Sequence, residues 1–168
     1  LRTDLDVIFG ATISSICESE LRKYLGDRCK GDDERVSRPD VLVKVGERDG
    51  FAEWSPVDIK SHGAFDSKIK SSSVDLSDVK TLAAVATVTG RIEKNDALQL
   101  AHYLLHLTAL GLASNQYKAG IIGSDGHQIA WSDLAAITFG RGKSAANAIM
   151  TYLEKFIEAK AIIRQSLE

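Results

Sequence analysis

The stretch Pro39-Asp40-Val41-Leu42-Val43-Lys44-Val45-Gly46-Glu47-Arg48-Asp49-Gly50-Phe51-Ala52-Glu53-Trp54-Ser55-Pro56-Val57-Asp58-Ile59-Lys60 decides how this chain is read. The run Val41–Val45 is short, β-branched and halted by Gly46, which predicts a strand. Arg48-Asp49-Gly50 carries hairpin-turn chemistry, and a second strand is expected from Phe51 to Lys60. Pro56 within it argues for an edge, a bulge or a break in pairing. Residues i and i+2 of a strand share a face, so Asp58 and Lys60 point the same way. Ile59 is expected to point into the core, and Val57 and Ile59 to be buried on either side of Asp58. Asp40 stands at the mouth of the neighbouring strand. A hairpin pairing brings its carboxylate and that of Asp58 together at one end of the sheet. Two hard oxygen ligands there suit Mg²⁺ or Mn²⁺, with the Ile59 carbonyl as a third ligand and water completing the shell. The Lys60 ammonium beside such an ion can orient a nucleophilic water or neutralise charge developing on a phosphate. The ordinary alternative is a same-face salt pair between Asp58 and Lys60 on a surface strand.

Upstream, Ile8, Ile13, Ile16, Leu21 and Leu25 recur at helix-like steps, so the first 26 residues are expected to form a helix ending at Gly26. Asp27 to Arg38 reads as a charged loop, and residues 61–76 as a second loop rich in Ser, Gly and Asp. Leu76 to Thr89 fits helix or strand equally. Asn95-Asp96 is a good N-cap pair for a helix from Asp96 to about Leu110, closed by Gly111. Lys118 to Ser124 predicts a strand, Asp125-Gly126 a turn and His127 to Trp131 the returning strand. From Lys143 to Glu168 the chain reads as an amphipathic helix with Ile149, Leu153, Phe156, Ile157 and Ile163 on one face. The order predicts an α/β fold, a central mixed sheet flanked by helices.

At 168 residues the chain is expected to be one domain with a sizeable core. Its start at Leu1, without Met, reads as a fragment of a longer chain. Lys+Arg 21 against Asp+Glu 23 rules out a polybasic protein, so nucleic-acid contact has to come from a local patch. Between Lys60 and Lys94 six Lys and Arg residues face four acids, a weak excess beside the proposed site. No apolar run is long enough to span a membrane. Cys17 and Cys29 cannot build a disulfide framework or a four-ligand metal site, and they read as reduced thiols of a cytoplasmic protein.

A second constellation sits on the Asp96 helix. Gln99 and Tyr103 are i and i+4 and share a helical face, where both can hydrogen-bond a phosphate or a base. The plainer reading makes Tyr103 a core aromatic and Gln99 its solvated neighbour. Taken in order, Asp40, then Asp58-Ile59-Lys60, then Gln99-x-x-x-Tyr103 resembles the PD-(D/E)xK nuclease superfamily, and within it the RecB-like branch. Pro56-Val57-Asp58-Ile59-Lys60-Ser61-His62, Leu98-Gln99-Leu100-Ala101-His102-Tyr103 and Ala119-Gly120-Ile121-Ile122-Gly123 are similar to RecB-family nucleases of actinobacteria. The resemblance covers about residues 10–135.

This resemblance implies a restriction-endonuclease-like core and a Mg²⁺- or Mn²⁺-dependent deoxyribonuclease, expected to be an exonuclease of DNA repair or recombination. Asp40 and Asp58 would be metal ligands and Lys60 the catalytic lysine, while Gln99 and Tyr103 would contact DNA or organise the site. The family's first helix often adds a metal ligand, for which Glu18 is the first candidate here and Glu20 the second. Helicase-like or other domains of a longer chain would be its partners. The sequence departs from the pattern in lacking a Gly shortly before Asp40, and two cysteines fall short of the iron–sulfur site of related CRISPR-adaptation nucleases. The alternative is a catalytically inactive DNA-docking or protein-interaction module of a larger repair complex.

Three further features are weaker. Gly140-Arg141-Gly142-Lys143-Ser144 lacks the first glycine of a phosphate loop, because Ile137 stands in its place. It reads as an exposed loop or as a basic helix start touching a DNA phosphate. His102 and His106 have the i, i+4 spacing of a zinc pair but no adjacent Glu or Cys. His62, two residues past Lys60, lies close enough to touch substrate.

Overall fold

The computed structural model describes residues 6–16, 34–63, 73–75, 92–124, 128–140 and 145–167. Its elements are β1 (Val7–Phe9), β2 (Ile13–Ile16), β3 (Glu34–Ser37), β4 (Val41–Arg48), β5 (Phe51–Ile59), β6 (Ser73–Asp75), α1 (Lys94–Ala109), β7 (Lys118–Ile122), β8 (Gln128–Asp133), β9 (Thr138–Phe139), β10 (Ala146–Asn147) and α2 (Ala148–Leu167). This is the expected α/β arrangement with a central mixed sheet. Six strands run in the order β1-β4-β5-β7-β8-β6, with β5 and β7 parallel and every other neighbouring pair antiparallel.

The β4–β5 hairpin follows from its turn residues. Asp49 and Gly50 have φ of 53° and 79°, the left-handed pair that a two-residue turn between Arg48 and Phe51 requires. Strand β4 does not stop at Gly46. The register shifts between Lys44 and Gly46, so Val45 is an extra residue and the strand runs on to Arg48. Pro56 is buried in a central strand, opposite Leu42. Alternate backbone N–H groups of β5 point toward β7: Trp54 donates to the Leu112 carbonyl and Lys60 to that of Ile122, each at 2.8 Å. Pro56 falls between them, and the β5–β7 ladder begins only at Val57. The missing donor therefore coincides with the expected break in pairing.

The parallel β5–β7 pair needs a crossover, and α1 lies within it. Ala97, Leu100, Ala101, Leu104 and Leu107 of α1 pack on Leu42, Trp54, Ala119 and Ile121 of the sheet, joined by Ile149 and Leu153 of α2. On the opposite face Val41, Val43, Val57, Ile129 and Trp131 form a second buried cluster. Gly120 belongs to that face because a Cβ there would lie 2.5 Å from Ile129 Cγ2 and 3.1 Å from Val57 Cγ2.

Several expectations are corrected. The first 26 residues are not one helix: Val7–Phe9 pairs with β4, and Ile13–Ile16 pairs with β3, inside the stretch read as loop. Isoleucines at helical steps are also good strand residues, and their strand partners lie too far along the chain to show in local spacing. Glu18, Glu20, Cys17 and Cys29 lie outside the described residues, as do residues 76–89 and the Asp125-Gly126 turn. Helix α1 begins at Lys94 with Glu93 as N-cap and no side-chain cap bond, so Asn95-Asp96 is not the cap. Its end at Gly111, with φ of 69°, is as expected. Helix α2 begins at Ala148 rather than Lys143, where Asn147 Oδ1 accepts the Met150 N–H at 2.8 Å. The segment before it forms the β9–β10 hairpin, and residues 141–144 at its tip lie outside the described residues. Ile163, placed on the apolar face by spacing, is 58% exposed. Among the described residues no helix is long and apolar enough to cross a membrane.

Candidate active site

Three chain segments meet at the carboxyl end of β5. The start of β4 brings Asp40, the end of β5 brings Asp58 and Lys60, and the first three turns of α1 bring Asp96, Gln99 and Tyr103.

Asp40 is held by its neighbours. Pro39 before it is fully buried, and the Asp40 carbonyl accepts the Gly10 N–H at 2.8 Å. Its Oδ2 accepts the Ile59 N–H at 2.8 Å. That contact continues the β4–β5 ladder one step past its last pair, Val41 with Val57, and aims the carboxylate across the end of β5.

Asp58 faces α1 and is only 2% exposed. Burial pushes its carboxyl above the ordinary value. The Lys60 hydrogen bond pulls it back, and Asp40 pushes it up again through a side-chain hydrogen bond and through its charge. The two carboxyl groups are therefore direct neighbours, as the hairpin pairing led one to expect. Ile59 does not point into the core: it is 52% exposed, while Val57 is fully buried. Both lie on the face away from α1, but Ile59 sits at the strand's last residue, past the reach of the second cluster. Its backbone still fits the expected role, because its N–H and C=O share the strand edge that faces Asp40.

Lys60 is the centre of a network. Its Nζ lies 2.5 Å from Asp58 Oδ2, 2.7 Å from Gln99 Oε1 and 3.3 Å from Asp96 Oδ1. Burial lowers its pKa, but the Asp58 hydrogen bond and the charges of Asp58 and Asp96 outweigh that and raise it, so the ammonium stays charged. Lysine only donates, which fixes the Gln99 amide with its oxygen toward Lys60. The Gln99 Nε2–H then donates to the Tyr103 hydroxyl at 2.6 Å. The i, i+4 reading of this pair is what the helix presents. Tyr103 is 7% exposed, and burial first, then Asp58 and Asp40, hold its pKa up against the pull of Gln99 and Lys60. It keeps its proton.

Two residues carry more than the sequence suggested. Asp96, read as a cap, is 6% exposed and turned inward onto Lys60. Its other oxygen lies 3.1 Å from His62 Nε2. The available signal was its spacing: Asp96, Gln99 and Tyr103 are i, i+3 and i+7 on one helical face. Glu93, exposed at the helix start, completes a group with His62 and Asp96 whose ligand atoms all lie within 4.8 Å of one another. That group could hold a metal ion, and nothing in it identifies which. His62 is itself exposed, and its pKa is raised by the Gly63 carbonyl first and by Asp96 and Glu93 after it.

The His102/His106 pair is an aromatic packing element. His102 Nδ1 meets the Tyr152 hydroxyl at 2.6 Å, and its ring lies edge-on to that of the fully buried His106 at 4.5 Å. No protein-family model, no curated protein and no solved structure matches this chain.

Proposed function

We propose that this chain is a metal-dependent deoxyribonuclease domain of the PD-(D/E)xK type, in the RecB-like branch, built on a restriction-endonuclease-like core. Its substrate is the DNA phosphodiester bond, and an exonuclease role in repair or recombination, beside helicase-like domains, fits that class. The observation that carries the reading is the meeting of Asp40, Asp58 and Lys60, drawn from two strands, at one sheet end.

The donor set suits Mg²⁺ or Mn²⁺. Asp40 and Asp58 supply hard carboxylate oxygens, and the Ile59 carbonyl adds a third on the same edge. The Asp58 and Asp96 carboxylates share the one Lys60 ammonium and Asp40 stands beside Asp58, so positive charge is what the cluster lacks. Bound by Asp40 and Asp58, the cation would polarise the scissile phosphate and lower the pKa of a coordinated water. Lys60 offers a fixed positive charge to the anion that develops at phosphorus, and costs no reorganisation to do so. Gln99 holds Lys60 with its oxygen and Tyr103 with its nitrogen. Tyr103 therefore accepts from Gln99, which leaves its own proton for a phosphate oxygen. DNA itself has to approach from the exposed side, where Asp40, Ile59 and His62 lie.

The test is digestion of end-labelled single- and double-stranded DNA by the purified chain, with Mn²⁺, with Mg²⁺ and with chelator. Cleavage that needs metal and is lost in Lys60→Ala supports the reading. Undiminished cleavage by Lys60→Ala refutes it, and DNA binding without cleavage under any metal would assign the chain to the docking-module class.

A further inference from the structure

Lys60 has more partners than a simple catalytic lysine needs. An ammonium has three N–H donors, and here three acceptors surround it: Asp58, Gln99 and Asp96. Two of them are charged, and both charged groups are buried, at 2% and 6% exposure. Asp58 is also the residue the cation requires. As long as the ammonium neutralises Asp58, a cation arriving there has to compete with it.

We propose that Asp96 is a positioning residue that acts through Lys60: it keeps the ammonium seated when a divalent cation takes the Asp58 carboxylate, so that Asp58 can exchange one cation for the other. This rests on the metal-dependent reading above. The geometry supports it at each point. Asp96 Oδ1 and Gln99 Oε1 lie on successive turns of α1, so both remain in place whatever Asp58 does. Asp96 Oδ2 lies 3.1 Å from His62 Nε2, an ion pair when the imidazole is protonated, while Oδ1 is the oxygen turned toward Lys60. Without Asp96, the ammonium's remaining charged partner in this network is Asp58, and the ammonium and the cation become rivals for one carboxylate. With Asp96, the half-buried ammonium keeps a charged partner after the exchange.

Mn²⁺ binding to the full chain, followed by electron paramagnetic resonance, tests this without relying on activity. Four proteins are compared: wild type, Asp96→Asn, Lys60→Met, and the double variant. Asp96→Asn is expected to weaken Mn²⁺ binding about tenfold, a coupling of ordinary size between neighbouring sites. The double variant is expected to bind as tightly as Lys60→Met, because the rival is gone. Asp96→Glu, which keeps the charge, should restore binding toward wild type and guards against a folding defect in the Asn variant. In DNA cleavage, Asp96→Asn should lower kcat at fixed sub-saturating Mn²⁺ while the KM for DNA stays put. Equal Mn²⁺ affinity in wild type and Asp96→Asn overturns the proposal. So does binding that stays weak in the double variant, which would make Asp96 a ligand in its own right with His62 and Glu93. Absence of Mn²⁺ binding by both wild type and Lys60→Met is a different failure: it overturns the metal-dependent reading itself.

Discussion

Asp58 is placed where a carboxylate is least comfortable. It is buried, it has Asp40 as a neighbour, and its pKa is raised above 3.8 for those reasons despite Lys60. A carboxyl whose folded pKa exceeds its unfolded value binds more protons folded than unfolded. Metal-free stability should therefore fall as pH rises from about 4 through the folded value of Asp58. Asp58→Asn should remove that part of the slope. Calorimetry on the metal-free variant is expected to give a melting temperature no lower than wild type at neutral pH, with Mn²⁺ binding lost. A clear destabilisation would mean that the Asp58–Lys60 pair is a structural brace instead. Lys60 acts in the opposite pH range. Its raised pKa keeps the ammonium charged below 10.5, so the Lys60 side of each ion pair is lost only in more alkaline solution. Tyr103→Phe isolates the hydroxyl. Its loss should cut cleavage about 10–100-fold, the value of one hydrogen bond to a charged group, with little change in the far-ultraviolet spectrum.

At the level of elements, what the sequence reveals depends on how local the cause is. The β4–β5 hairpin was readable because Asp49-Gly50 demands a two-residue turn and because Asp58 and Lys60 must share a face. Gln99 and Tyr103 were readable because four residues is one helical turn. The N-terminal strands were not readable, since β1 pairs with β4 and β2 with β3 across long separations while their isoleucines mimic helical spacing. Asp96 was misread for a related reason: Asp near a helix start is a common cap, and only tertiary contact with Lys60 shows it turned inward. Ile59 was misplaced because face alternation holds only while a second layer covers the strand, and at its last residue that layer has ended. Strand β7 offers a test of the packing behind the site. Gly120→Ala puts a methyl 2.5 Å from Ile129 Cγ2, beneath the Val57 that precedes Asp58. Overpacking of this kind costs about 1–3 kcal/mol, so denaturant unfolding should show a lower midpoint. An unchanged midpoint would mean that β7 and β8 can part more easily than the register implies.

Across the whole molecule, the topology does the assembling. The hairpin turns the chain back so that Asp40 faces Asp58, and the crossover to parallel β7 lays the first turns of α1 over both. The result is a rim that concentrates negative charge around a single lysine. Mn²⁺ should therefore stabilise the fold, by about 2.7 kcal/mol at a hundredfold excess over its dissociation constant. The rise in melting temperature should vanish in Asp58→Asn. The most direct measurement is the position of the ion itself, from anomalous scattering of Mn²⁺-soaked crystals. One peak is expected within about 2.1–2.3 Å of an oxygen of both Asp40 and Asp58, with the Lys60 ammonium still on Asp96 and Gln99. A peak confined to His62, Glu93 and Asp96, or no peak at all beside Asp58 at saturating Mn²⁺, would contradict it.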